Sequence, residues 1–489
     1  MPERFRYLVG LLAFIWPKRF KNMFTWLQKK PVKTLSLREG IESLKQKLLV
    51  LLNSVDQTKN FHRLDVAIES VDFIAFLNQQ NCQQKFYWAD RRGKFQIAGV
   101  GAADHLLVKP DDIKNVWGLL KERMGRDQVS YFGGWAFDEQ NFGQNINEKW
   151  RNFGAAQFVL PAFAVWQQNQ KTFLSWNLSR EDLELGSGKL FVQLESLNWT
   201  SEPNQDELPV IKDRRQAPSY EQWQQWVQSE LARIEENTGF KKIVLAREIE
   251  LTFAEQPNPW VILQKLKAAT QSCYLFAFQP AVGEVFLGAS PERLYLRSGE
   301  NIETEALAGT QSRGKEVFQD QVQMLLLRES KKDNLEHQYV VDMIERKLKS
   351  FCEEIKSQEK PEILSLRSSH HFLTRFQGRL KPDVSDEELF TNLHPTPAVA
   401  GEPTEQAKER ISRVETFQRG WYCGPIGYLS HDKIELAVAI RCGLLQKENL
   451  SLFAGAGIVK GSVAKEEWQE TEHKLKNFLN VIDPTYVIE

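Results

Sequence analysis

The sequence predicts an α+β fold built from large antiparallel sheets with helices packed outside them. Short alternating strands rich in aromatics recur through the first half at hairpin-like spacing. A long helical stretch near 316–350 interrupts a second set of strands, which fits α+β better than repeated βαβ units. No self-similarity emerges at periods of about 20 to 50 residues, which argues against solenoids and propellers.

In chain order, residues 1–35 form a basic and apolar amino-terminal extension. Its apolar run, Tyr7 to Trp16, is flanked by Arg4, Arg6, Lys18, Arg19 and Lys21. The run is too short to span a bilayer as a helix, and no small-residue cleavage pattern follows it. It reads as a poorly ordered extension, with an interfacial helix making peripheral membrane contact through residues 1–30 as the functional alternative.

Residues 36–215 form a β-rich scaffold region. FYWADRRGKFQIAGVG at 86–101 reads as two strands joined by a hairpin at Asp90 to Gly93, with Gly99 and Gly101 permitting close backbone packing. Tyr131 to Phe137 has the same character. Glu202 to Pro218 is polar and proline-punctuated and reads as a linker. Ser219 then caps a helix, with Gln222 at the capping-box position and Trp223, Trp226, Val227, Leu231 and Ile234 on one face. Residues 216–489 form the second region.

Composition narrows the function classes. The chain is 42% hydrophobic and 26% charged, ordinary for a soluble globular protein. Its 63 basic and 64 acidic side chains nearly cancel, which argues against a nucleic-acid partner. Five scattered cysteines with no CxxC pair suggest reduced thiols, a cytoplasmic setting and no zinc site.

Chemistry concentrates after the linker. In Leu452 to Lys474 an alternating apolar run ends in Gly455-Ala456-Gly457, turns at Gly461-Ser462 and enters a helix. Glu467, Glu470 and Lys474 share one stripe of that helix, and Trp468, Leu475 and Phe478 share a core-facing neighbour. Taken alone, this is an exposed helix with an i,i+4 Glu to Lys pair worth a few tenths of a kcal/mol. Lys242 begins a strand apolar on both faces, and burial there lowers a lysine pKa; the plain alternative is a snorkelling surface lysine. Glu292 follows a Ser-Pro turn, where burial raises a carboxyl pKa, unless it simply pairs with Arg293. Glu336 lies on one helical line with Val340 and Met343, or belongs to a capping box with Asp333. His394, in LHPTP, reads as structural.

Lys242 to Arg247 (KIVLAR), Phe286 to Arg293 (FLGASPER), Glu305 to Thr310 (EALAGT), Gly424 to Gly427 (GPIG) and Ala439 to Arg441 (AIR), with the stretch above, resemble the chorismate-utilising enzymes. The resemblance is dense over 216–485 and loose before it, and it implies an anthranilate synthase component I-like composite fold. It implies Lys242 as the base that activates water and Glu292 as the acid that protonates the departing 4-hydroxyl of chorismate. Glu336, Glu467 and Glu470 would hold Mg2+ against the ring carboxylate. Arg441, Gly455 and Gly457 would hold the enolpyruvyl carboxylate, with Tyr422 and Lys474 as further carboxylate contacts. Gly309 and Thr310 fall where relatives contact substrate, although an ordinary turn accounts for them nearly as well.

Ammonia-using relatives typically lack the lysine, and relatives that eliminate pyruvate or accept ammonia usually have threonine or serine where Ala398 stands. The resemblance therefore implies water addition at C2, isochorismate as product and no glutaminase subunit. Salicylate formation by a further pyruvate elimination is the near alternative, followed by the ammonia-using branch. A catalytically silent scaffold is the reading from another class.

Overall fold

The computed structural model describes residues 34–139, 142, 148–199, 207–236 and 239–483. Nearly all of the amino-terminal extension, with its proposed membrane contact, lies outside them. Among the described residues no helix is long and apolar enough to cross a membrane.

Two antiparallel sheets organise the chain. The first runs in the order Phe61–Ile68, Lys171–Ser179, Phe163–Gln168, Phe95–Val100, Lys85–Ala89, Tyr274–Ala281, Glu284–Ser290, Cys442–Gln446, Asn449–Val459, Lys242–Phe253 and Gly401–Glu402, with Ile211–Ala217 paired on Lys242–Phe253. The second runs Cys352–Ser357, Ser369–Leu380, Asn301–Ser312, Arg293–Ser298, Lys433–Val438, Pro425–Ser430, Ser130–Trp135, Ala156–Leu160 and Asp104–Val108, with Glu362–Ser365 paired on Ser369–Leu380. Five strands frame the site: β1 (Lys242–Phe253), β2 (Glu284–Ser290), β3 (Asn301–Ser312), β4 (Ser369–Leu380) and β5 (Asn449–Val459). Three helices matter with them: α1 (Tyr220–Glu235), α2 (Lys331–Phe351) and α3 (Ala464–Ile482).

Strand period explains why the aromatic segments bury both faces. Phe86 and Trp88 enter a core that also holds Tyr131, Trp135 and Leu436 of the second sheet, whereas Tyr87 and Ala89 point the other way, into a core shared with helices Leu37–Leu52, Phe73–Asn78 and Pro259–Ala269. The first sheet is therefore sandwiched between the second sheet and a helical layer. Phe86 stacks on Phe132 across the sheets at 4.6 Å between centroids, worth about 0.5–1.5 kcal/mol beyond its burial. The expected hairpin forms: Asp90 accepts from the amides of Arg92, Lys94 and Phe95, and Gly93 takes φ +62°. A Cβ at Gly99 would lie 2.3 Å from the Phe86 ring.

Two boundaries differ from the sequence reading. Ile211–Ala217, inside the expected linker, is a strand, because its extended backbone completes the edge of β1. Both regions supply strands to both sheets, Lys85–Ala89 pairing with Tyr274–Ala281, as the expected composite fold requires. The helical stretch near 316–350 is two helices, Val317–Glu329 and α2, broken at Ser330. Ser330 caps α2 by accepting from the Asp333 amide, which displaces Asp333 from the capping role considered for it. The capping box at Ser219 and Gln222 is present, with Trp223, Val227 and Ile234 of α1 buried.

Candidate active site

A cavity opens between the sheets where β1, β3, β5, α2 and α3 meet. Glu292, Gly309, Thr310, Glu336, Ala398, Tyr422, Arg441, Gly455 and Lys474 line it. Lys242 and Gly457 stand directly behind Glu336, and Glu467 and Glu470 lie further along α3.

Register explains the glycines. In β1 the residues Lys242, Val244 and Ala246 share one face, and they pair with Val459, Gly457 and Gly455 of β5. A Cβ at Gly457 would lie 2.3 Å from Glu336 Oε1 and 3.1 Å from Lys242 Cε; one at Gly455 would lie 3.1 Å from Tyr422 Oη and from Val244 Cγ1. Gly457 thus makes room for the Lys242–Glu336 pair rather than lining the cavity. Gly455 faces the cavity, and its carbonyl accepts from Lys474 Nζ at 2.7 Å.

Lys242 has no exposed surface, and its Nζ donates to Glu336 Oε1 at 2.9 Å. The sequence reading left this amine desolvated and alone; the fold gives it a carboxylate 94 residues away.

Glu292 is 4% exposed. Its amide donates to Ser290 Oγ at 3.2 Å, and its carbonyl accepts from the Val438 amide at 3.1 Å. Burial, aided by the negative charge of Glu305, pushes its carboxyl up to about 8 against Lys242, Lys474 and Arg91, so it holds its proton at neutral pH. Arg293 does not pair with it: its guanidinium reaches Glu303 at 2.7 Å and the Tyr274 hydroxyl at 2.8 Å.

The three candidate metal ligands are distributed among lysines. Glu467 Oε1 accepts from Lys332 Nζ at 2.8 Å, with Glu470 Oε2 3.9 Å from the same nitrogen, and Glu470 Oε1 lies 2.8 Å from Lys474 Nζ. Among the described residues no three such side chains close on a single metal position, so the expected convergence is not reached: Lys242 holds Glu336 on one side, and Lys332 and Lys474 hold the α3 pair on the other. The set still fits a hard cation. Glu467 Oε2 is buried without a hydrogen-bond partner among the described residues, and burial with the Glu470 charge pushes the Glu467 carboxyl up. That open carboxylate oxygen is the kind of ligand an oxygen-seeking divalent ion would take.

Arg441 adopts φ +52° in the turn before Cys442–Gln446, an uncommon conformation that persists where packing enforces it. Its Nη1 donates to the Lys474 carbonyl at 3.1 Å, and burial lowers its pKa. Gly309 takes φ +71° at a bulge between Ala308 and Thr310. His394 is buried away from the cavity, its Nε2 3.2 Å from the Phe137 carbonyl.

Two residues escaped the sequence reading. His371 of β4 lines the cavity; its Nδ1 donates to the Gly309 carbonyl at 3.1 Å, its Nε2 accepts from Ser369 Oγ at 2.8 Å, and burial pushes it down to about 3, so the ring is neutral. Lys332 precedes Glu336 by four residues on α2, a spacing that puts a charge on the same helical face and was its available signal.

A family model described as "Chorismate binding enzyme" matches residues 45–483. Isochorismate synthase MenF of Bacillus subtilis strain 168 is 31% identical over 441 residues, 85% of this chain and 92% of that protein. A chloroplastic isochorismate synthase of Catharanthus roseus is 29% identical over 410 residues, 81% of this chain and 69% of that one. The solved structure of MenF, the menaquinone-specific isochorismate synthase of Escherichia coli, superposes with a TM-score of 0.79 at 26% identity, covering 91% of this chain and all of that one. Anthranilate synthase component I of Streptococcus pneumoniae, TM-score 0.63 at 21% identity over 79% of this chain and 92% of that one, shares the fold. With its family model matched over most of its length and its charged cavity formed where that family's motifs converge, the chain belongs to the chorismate binding enzymes.

Proposed function

We propose that this protein isomerises chorismate to isochorismate, adding water at C2 as the 4-hydroxyl leaves and the ring double bonds shift. The observation that carries this reading is a buried carboxyl, Glu292, protonated at neutral pH on the wall of a cavity that also presents Arg441, Lys474 and the Lys242–Glu336 pair. Glu292 gives its proton to the leaving hydroxyl. Lys242 takes a proton from the attacking water, and Glu336, in contact with its Nζ, stabilises the ammonium formed.

Arg441, Lys474, Tyr422 and the backbone at Gly455 hold the enolpyruvyl carboxylate, while Gly309, Thr310 and His371 shape the cavity rim. Ala398 places no hydroxyl near the reacting ring. Glu336, Glu467 and Glu470 are the residues that would hold Mg2+. Bound there, the ion supplies positive charge that orients the ring carboxylate and offsets its repulsion from the site.

Purified protein incubated with chorismate and Mg2+, with products resolved by liquid chromatography, tests the assignment. Isochorismate alone is expected. Salicylate with pyruvate, or an aminated product when ammonia is supplied, would overturn it.

A further inference from the structure

The hairpin at Asp90 to Gly93 belongs to the half of the chain that reads as scaffold, yet its Arg91 ends beside the proposed acid. Arg91 Nη1 donates to the Pro291 carbonyl at 2.8 Å and to Glu305 Oε1 at 2.6 Å, and Nη2 donates to Glu305 Oε2 at 2.7 Å. Glu305 Oε1 in turn accepts from the Arg293 amide at 3.1 Å. The peptide groups on both sides of Glu292, the carbonyl before it and the amide after it, are therefore gripped by one ion pair. The pair is anchored at both ends: the Arg91 guanidinium lies over the Tyr274 ring at 5.2 Å, and the Glu305 side chain is 1% exposed in β3. The Asp90 turn that carries Arg91 is closed by three amide contacts to one carboxylate.

We infer that Arg91 and Glu305 are positioning residues for Glu292: the amino-terminal hairpin clamps the backbone of the acid and places its carboxyl in the cavity. The inference rests on the reading of Glu292 as general acid. A planar fork meeting a carboxylate and a carbonyl at once explains why arginine stands at 91, since a lysine ammonium cannot present that fork. The pair also sets the charge around Glu292. The groups that face it are Glu305 from β3, Lys242 from β1, Lys474 from α3, Arg91 from the hairpin and Cys423 from the turn before Pro425–Ser430.

The test compares full-length Glu305→Gln, Arg91→Gln and Arg91→Lys with wild type and Glu292→Gln, reading the pH profile of kcat/KM, the split between kcat and KM, and the melting temperature. Glu305→Gln removes the negative neighbour that raises Glu292, so the alkaline limb moves to lower pH, by roughly one unit or a tenfold loss at a fixed pH on the limb. Arg91→Gln lowers kcat roughly ten- to a hundredfold with KM held, because the acid is misplaced and no substrate contact is lost. Arg91→Lys restores some of that loss. A pair that only stabilises the fold would lower the melting temperature and leave kcat and the limb of the folded enzyme unchanged, and this result overturns the inference. If Glu292→Gln itself keeps wild-type turnover, the acid assignment fails and the inference with it. If Glu292→Gln is inactive while folded Glu305→Gln and Arg91→Gln behave as wild type, the inference alone fails.

Discussion

Replacing Glu292 by glutamine makes the protein slower and more stable at once, and the size of the second effect follows from its burial. The carboxyl has an ordinary value of 4.5 and a folded value of about 8. Between those values the folded chain keeps a proton that the unfolded chain has released, so stability is fully present below pH 4.5 and falls as pH rises through 8. At about 1.4 kcal/mol per pH unit the whole window amounts to roughly 5 kcal/mol, of which on the order of 3 kcal/mol is lost by pH 7. Glutamine has the same shape and no proton to release. Unfolding entropy of about 2 cal/mol/K per residue makes 1 kcal/mol worth about 1 °C in a chain of this length. Glu292→Gln is expected to melt with wild type at pH 4.5, about 3 °C above it at pH 7 and about 5 °C above it at pH 9. Turnover falls roughly a hundred- to ten-thousandfold, the range for a lost general acid. Scanning calorimetry across that pH range, with steady-state rates on the same preparations, makes the comparison. Two melting curves that stay parallel with pH would refute the argument that burial holds the proton on Glu292.

Lys242→Met abolishes turnover and strands Glu336, which is 7% exposed, without its partner, at a cost of about 3–5 kcal/mol. Adding Glu336→Gln regains most of that stability but none of the activity, and additive losses in thermal melts would show that the contact does not couple the two. Gly457→Ala drives a methyl to 2.3 Å from Glu336 Oε1, so the pair shifts and kcat falls with little change in KM; an unaltered kcat contradicts the role given to this glycine. Arg441→Lys loses a forked contact worth about 1.5–3 kcal/mol, which raises KM roughly ten- to a hundredfold without moving the melting temperature. An unchanged KM would remove Arg441 from substrate binding.

Much of this fold was legible in the sequence because strand period and turn chemistry are local. The hairpin at Asp90, the cap at Ser219 and the helix carrying Glu467 and Glu470 all announce themselves within a few residues. Ile211–Ala217 was misread because a strand exposed along most of its length is polar and looks like linker; only its pairing with β1 makes it a strand. The break at Ser330 was missed because it falls in a polar run, Arg328 to Asn334, that has no glycine or proline to mark it. The cavity residues were found through motifs, but their partners were not. Lys242 with Glu336, Glu467 with Lys332, and Arg91 with Glu305 are separated by 94, 135 and 214 residues, and nothing local encodes such pairs. His371 was hidden for the same reason: its role depends on a carbonyl exposed by a bulge in the neighbouring strand.

Central to the proposed mechanism is water attacking C2 while a protonated Glu292 releases the 4-hydroxyl. Running the reaction to partial conversion in water enriched in oxygen-18 and locating the label in the product tests this most directly. One heavy oxygen, carried by the C2 hydroxyl of isochorismate, is the predicted result. Isochorismate carrying no label at C2 would contradict it, because the hydroxyl would then have migrated within the substrate.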